Sequence, residues 1–68
     1  MNENGFKENS LIDWTIGKRY GSYVLYGTIY NDTKNRFADG AYIHTSSLTE
    51  IDFVNKVART RNSTYNLE

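Results

Sequence analysis

Nine consecutive residues, Ser22-Tyr23-Val24-Leu25-Tyr26-Gly27-Thr28-Ile29-Tyr30, constrain this chain more than any other feature. Tyr, Val, Ile and Thr lose rotamer freedom in a helix and pack well on a pleated surface, so the stretch reads as a strand. One face carries Val24, Tyr26, Thr28 and Tyr30, the other Tyr23, Leu25, Gly27 and Ile29, and neither is strongly polar. Both faces call for cover. A chain of 68 residues cannot easily supply two covering layers, so the second face is expected to meet another protomer or a ligand. Gly27 inside the strand marks a bulge, or a close approach of another backbone or a planar ligand.

Weaker strand signals flank this element. Leu11, Ile12, Trp14 and Ile16 suggest a short first strand, after which Gly17 and Gly21 bracket Lys18-Arg19-Tyr20 in a basic hairpin loop. Asn31 to Arg36 is a polar connection, and Asp39-Gly40 is a hairpin signal in which Gly40 supplies a positive φ, with Ala41 to Thr45 expected to pair back on Phe37. Ser46 to Glu50 offers a cap and one helical turn, Phe53 to Arg61 alternates as a strand, Asn62-Ser63 turns it, and Thr64 to Leu67 returns as the last strand. Residues 1–10, polar apart from Met1 and Phe6, read as a flexible N-terminal arm, and residues 11–68 as a single small β domain. The expected fold is all-β: a small antiparallel sheet or open barrel of five to six short strands, with at most one helical turn.

A domain this short buries only about 60% of the surface its unfolded chain exposes, and the absence of cysteine removes disulfides and zinc-thiolate scaffolds as a remedy. A homo-oligomer, dimer or tetramer, is therefore expected to supply the missing core. No apolar run approaches the ~18 residues of a spanning helix, and the first residues lack the order of a signal peptide, so a cytoplasmic protein with no membrane partner is expected. The chain is neutral in total, yet residues 14–67 hold seven basic and four acidic groups, a net of +3. Such a charge favours a compact anionic ligand over duplex DNA, which normally meets a larger basic footprint.

Catalysis has little support in the sequence. His44 is the sole histidine, so neither a metal site nor a cofactor is expected, and a trio of Ser46, His44 and Asp39 has no nucleophile turn to activate its serine. Gly17-Lys18 ahead of Ser22 has the wrong order for a phosphate loop, although the local amides with Lys18 and Arg19 can contact an anion. The aromatics say more: ten of 68 residues, six of them Tyr, suit stacking on bases or packing between subunits. Lys56, Arg59 and Arg61 place cations beside them, with Arg59 and Arg61 on one strand face, where guanidinium groups can grip a phosphate bidentately. The candidate ligand-binding residues are accordingly Arg59, Arg61, Thr45, Ser46, Lys56 and Tyr26.

Arg36-Phe37-Ala38-Asp39-Gly40-Ala41-Tyr42-Ile43-His44-Thr45-Ser46, preceded by Trp14 and Gly27-Thr28-Ile29-Tyr30 and closed by Arg59-Thr60-Arg61-Asn62-Ser63-Thr64-Tyr65-Asn66-Leu67, resembles a pattern in small phage-encoded accessory proteins. Its marks are an Arg-Phe-x-Asp-Gly-x-x-Ile-x-Thr-Ser hairpin and a Thr-x-Asn-x-x-Tyr-x-Leu ending, over about residues 14–67. The resemblance implies a non-enzymatic anti-defence protein in the host cytoplasm. Such proteins include sponges for the cyclic oligonucleotide signals of antiphage immunity and inhibitors that cover a nuclease or another defence protein. Cations, aromatic faces and hydroxyls favour the sponge, with a cyclic nucleotide or similar anionic small ligand as partner. A direct inhibitor, or a small β domain that binds single-stranded nucleic acid, is the alternative.

Overall fold

The computed structural model of the chain describes residues 4–68. Six strands form one mixed sheet: β1 (Ser10–Arg19), β2 (Ser22–Tyr30), β3 (Ala41–His44), β4 (Leu48–Asp52), β5 (Val57–Thr60) and β6 (Thr64–Leu67), in the spatial order β3-β2-β1-β6-β5-β4. The chain is all-β, and no helix occurs among the described residues. Ser46 to Glu50, expected to make a helical turn, instead leads into and starts β4, because Leu48 and Ile51 pack against the core from a strand paired with β5.

Two antiparallel meanders, β1-β2-β3 and β4-β5-β6, meet through a parallel ladder in which Ser10 faces Asn66 and Leu11 faces Leu67. That parallel pair departs from the antiparallel sheet expected. It follows from connectivity: β3 and β4 lie at opposite edges, yet only Thr45, Ser46 and Ser47 separate them. Three residues span on the order of 10–14 Å, so the two edges must approach and the sheet must curl. The Thr45 amide donates to Leu25 O on β2 (2.9 Å) and the Arg61 amide to Ser47 O (2.9 Å), so this link hands the chain from one meander to the other. The sheet stays open between those edges and does not close into a barrel.

The curl encloses Leu11, Leu25, Ile29, Ile43, Ala58, Tyr65 and Leu67, with Trp14, Phe37, Ala41, Leu48 and Ile51 packed around them. Cross-strand partners share a face, so the register makes Leu25, Gly27, Ile29 and Ile43 inner and Val24, Tyr26, Thr28, Tyr42 and His44 outer. Gly27 is a close approach: a Cβ there would lie 2.9 Å from Leu11 Cγ and 3.1 Å from Ile12 O. The bulge itself is in the partner strand, where Asp13 (φ 52°) and Trp14 together oppose Gly27.

The Lys18-Arg19-Tyr20 loop shrinks on inspection. Lys18 and Arg19 belong to β1, opposite Tyr23 and Ser22, and the turn is Tyr20-Gly21 alone, with φ of 50° and 81°. Positive φ at both central residues matches the right-handed twist of the strands it joins. Gly40 has the positive φ expected of it (86°), but its turn leads Ala41 onto Ile29 of β2, not onto Phe37. The Phe53–Arg61 strand is halved: residues 53–56 form a turn held by Asp52, whose carboxylate accepts the Val54 and Asn55 amides (both 3.0 Å), and β5 starts at Val57.

Residues 1–3 of the expected arm lie outside the described residues. Asn4 to Asn9 pack along the sheet: the Phe6 ring packs tilted against Tyr30 with ring centroids 4.7 Å apart, the Asn9 amide donates to Asn31 O, and the Asn9 side chain accepts from the Thr33 amide.

Candidate functional site

Three segments converge on one open cleft of about 350 Å³: the β1–β2 hairpin tip, the Thr45–Ser47 link and the β5–β6 turn. Arg19 and Ser22 enter from the hairpin, Val24 lies on its β2 wall, His44 and Ser46 come from the β3 side, and Arg61 and Asn62 from the far turn. Arg61 is placed by the fold around it. Its amide donates to Ser47 O, the Thr60 amide donates to Ser63 O, and the Ser46 hydroxyl links Thr60 Oγ1 (3.0 Å) to the Asn62 amide (3.2 Å).

Neither Arg19 nor Arg61 has a carboxylate within ion-pair distance among the described residues. The other two arginines do. Arg36 pairs with Asp32 at 3.2 Å and Arg59 with Glu50 at 3.8 Å. A guanidinium is cationic throughout the neutral range, and the hydrogen bond to the Tyr26 hydroxyl raises the Arg19 pKa further, with burial opposing.

The sequence candidates divide between several places. Arg61 and Ser46 line the cleft, and Thr45 lies at its base with its hydroxyl already engaged: it accepts from the Leu25 amide (3.0 Å) and donates to Ser46 O (2.8 Å). Arg59 does not join Arg61, because β5 ends at Thr60 and the next residue enters the turn, so the two do not share a strand face. Lys56 (φ 56°) sits beside Trp14, Phe53 and Leu67 at a separate hollow of about 300 Å³. Tyr26 is half-buried on the outer face of β2, tilted on His44 with centroids 6.0 Å apart, and is thus a neighbour of the cleft.

Sequence reasoning gave Arg19 only a loop contact and read His44 as a lone histidine. What brings them together is register, through the pairs Arg19↔Ser22 and Tyr26↔His44. Asp39 does not join His44 and Ser46 but accepts from the Asn31 amide at 2.8 Å. Among the described residues no three His, Cys, Asp or Glu side chains cluster in a way that could hold a metal ion. No family model, curated protein or solved structure matches the chain.

Proposed function

We propose that the protein is a non-enzymatic binder that sequesters a compact phosphorylated nucleotide in this cleft, as a sponge for a nucleotide immune signal of the kind used in antiphage defence. The observation that carries the reading is the convergence of Arg19 and Arg61 with no carboxylate of the described residues within ion-pair distance of either. A guanidinium already paired must leave its partner before it binds phosphate, whereas an unpaired one offers its planar fork at once. A cleft of about 350 Å³ suits a small ligand in size. Such a site favours a di- or trinucleotide over a long strand, whose affinity grows with its length.

Titration calorimetry against cyclic di- and trinucleotides, with linear oligonucleotides as controls, tests the proposal. Binding should be reversible and the ligand recovered unchanged. Arg61→Ala and Arg19→Ala should each weaken it roughly ten- to a hundredfold, the loss of one charge-assisted contact of about 1.5–3 kcal/mol, while Arg59→Ala leaves it intact. Silence toward every ligand would move the reading to a direct inhibitor of a defence protein, and a chemically altered ligand would move it to an enzyme.

The expected homo-oligomer remains part of the proposal, and an apolar patch away from the cleft supports it. Phe53 (64% exposed) and Val54 (89%) stand beside the half-buried Trp14, whose ring is 6.4 Å from that of Phe53. A second copy is the occupant such a patch would take. Light scattering should show a multimer, and Val54→Asp should dissociate it. A 7.9 kDa species with a concentration-independent unfolding midpoint would remove this part.

A further inference from the structure

The outer face of the sheet carries an aromatic row that the fold covers at one end only. Tyr30 is covered by the tilted ring of Phe6 from the N-terminal segment, 4.7 Å between centroids. Toward the cleft, Tyr26 lies near-parallel to Tyr42 (6.5 Å, 22°) and tilts on His44 (6.0 Å), and nothing among the described residues covers Tyr42, which is 70% exposed. Register makes the row continuous with Arg19. Thr15 faces Tyr26, Gly17 faces Val24 and Arg19 faces Ser22, all on this same outer face. Gly17 leaves the room Tyr26 needs, since a Cβ there would sit 2.6 Å from Tyr26 Cε2.

From this row we infer a second half to the proposed site: phosphate is held between Arg19 and Arg61 in the cleft, and a purine base of the same ligand stacks on the Tyr42–His44 surface. The inference rests on the cleft reading and names what that reading leaves open, the planar aromatic part of the ligand. His44 joins the halves, because it both lines the cleft and packs against Tyr26. Stacking on an aromatic face tolerates either purine, whereas it offers nothing to a bare anion. The ligand class is therefore a purine nucleotide with at least one phosphate, distinguished from inorganic polyphosphate by its base.

Calorimetry with cyclic diadenylate, cyclic diguanylate and tripolyphosphate separates the halves. Tyr42→Leu keeps apolar bulk and removes the π face at an exposed edge-strand position, and Tyr42→Phe restores the face without the hydroxyl. Tyr42→Leu should weaken a cyclic dinucleotide about tenfold or more and leave tripolyphosphate unchanged, with Tyr42→Phe close to wild type. Gly17→Val, which displaces Tyr26, should follow Tyr42→Leu, and Arg61→Ala should weaken all ligands. Cyclic dinucleotides bound equally by wild type and Tyr42→Leu would overturn the stacking half and leave the cleft reading standing. Tripolyphosphate bound with neither dinucleotide would overturn it too, and no binding by any probe would overturn both. A Tyr42→Leu variant with unchanged nucleotide affinity and a smaller mass by light scattering would assign the row to a protein interface and overturn the inference.

Discussion

In the Asn31–Gly40 connection Arg36 is locked onto a buried carboxylate, whereas in the cleft Arg19 and Arg61 face no carboxylate among the described residues. Asp32 has a fully buried side chain, and it accepts from the amides of Arg36 (2.7 Å), Phe37 (3.1 Å) and Lys34 (3.3 Å) as well as from the Arg36 guanidinium. Arg36 reaches on to the hydroxyl of the buried Tyr65 at 3.4 Å. The Lys34 ammonium donates to Asn62 O and the Asp39 carboxylate accepts from the Asn31 amide, so every charge in that loop has a partner within the fold. At the cleft, hydrogen bonds from Ser46, Ser47 and Thr60 hold the backbone, and Arg19, beside the Tyr26 hydroxyl and over the Tyr20 ring at 5.6 Å, meets only neutral partners and no carboxylate among the described residues. A charge matched within the fold supports stability, and one left unmatched is available to a ligand.

The largest expected effect falls on the matched side. Asp32→Ala strands three amides and Arg36, and should cost about 2–3 kcal/mol in urea denaturation; the figure is below that for a fully buried pair because Arg36 keeps a third of its side chain in water. Burial alone would push the Asp32 carboxyl up, but the Arg36 guanidinium and the loop amides outweigh it and hold its pKa below the ordinary 3.8. A depressed folded pKa contributes stability that is present above the ordinary value and lost as pH falls through the folded one. Wild type should therefore lose stability below about pH 4, and Asp32→Asn should flatten that acid limb. Identical acid limbs for the two proteins would break the contrast.

Two glycines test the frame that sets the contrast in place. Gly27→Ala drives a methyl onto Leu11 and the Ile12 carbonyl, and should cost about 1–3 kcal/mol by overpacking. Gly40→Val, at φ 86°, should cost about 1–2 kcal/mol, because the closing turn of the Asp32 loop needs a left-handed residue. An unchanged denaturation midpoint for either would contradict the corresponding close contact or turn.

How much of this was legible differs by element. Ser22–Tyr30 was readable to the residue, because its composition leaves a helix no advantage. In β1 the alternation misleads: Leu11 and Ile16 are five positions apart yet share the inner face, since the Asp13 bulge shifts the phase, and a period-2 reading sets them apart. The link at Thr45–Ser47 carries no composition cue for a handover between meanders, so its hydroxyls read as ligand groups when two of them support the fold. Arg59 and Arg61 looked equivalent because two residues apart on a strand means one face. Where the strand ends is set by the Thr60–Ser63 turn, which the local pattern marked one residue late.

The smallest effect concerns Arg59, which stands between the two classes because it has a partner but an exposed one. Arg59 and Glu50 face each other across β4 and β5 at 3.8 Å, with side chains 64% and 61% exposed. Water screens such a pair and long side chains lose entropy in holding it, so a double-mutant cycle on Arg59→Ala and Glu50→Ala should give a coupling of about 0.2–1 kcal/mol. Salt should reduce it further. Removing Glu50 alone takes away the ion-pair partner of Arg59 but leaves the Asp52 carboxylate in the same hollow, outside the cleft. If an arginine without an ion-pair partner were sufficient for binding, Glu50→Ala would create a second anion site and raise the stoichiometry seen by calorimetry. The expected result is an unchanged stoichiometry, because the described residues lining that hollow include the Asp52 carboxylate and neither a second cation nor an aromatic ring.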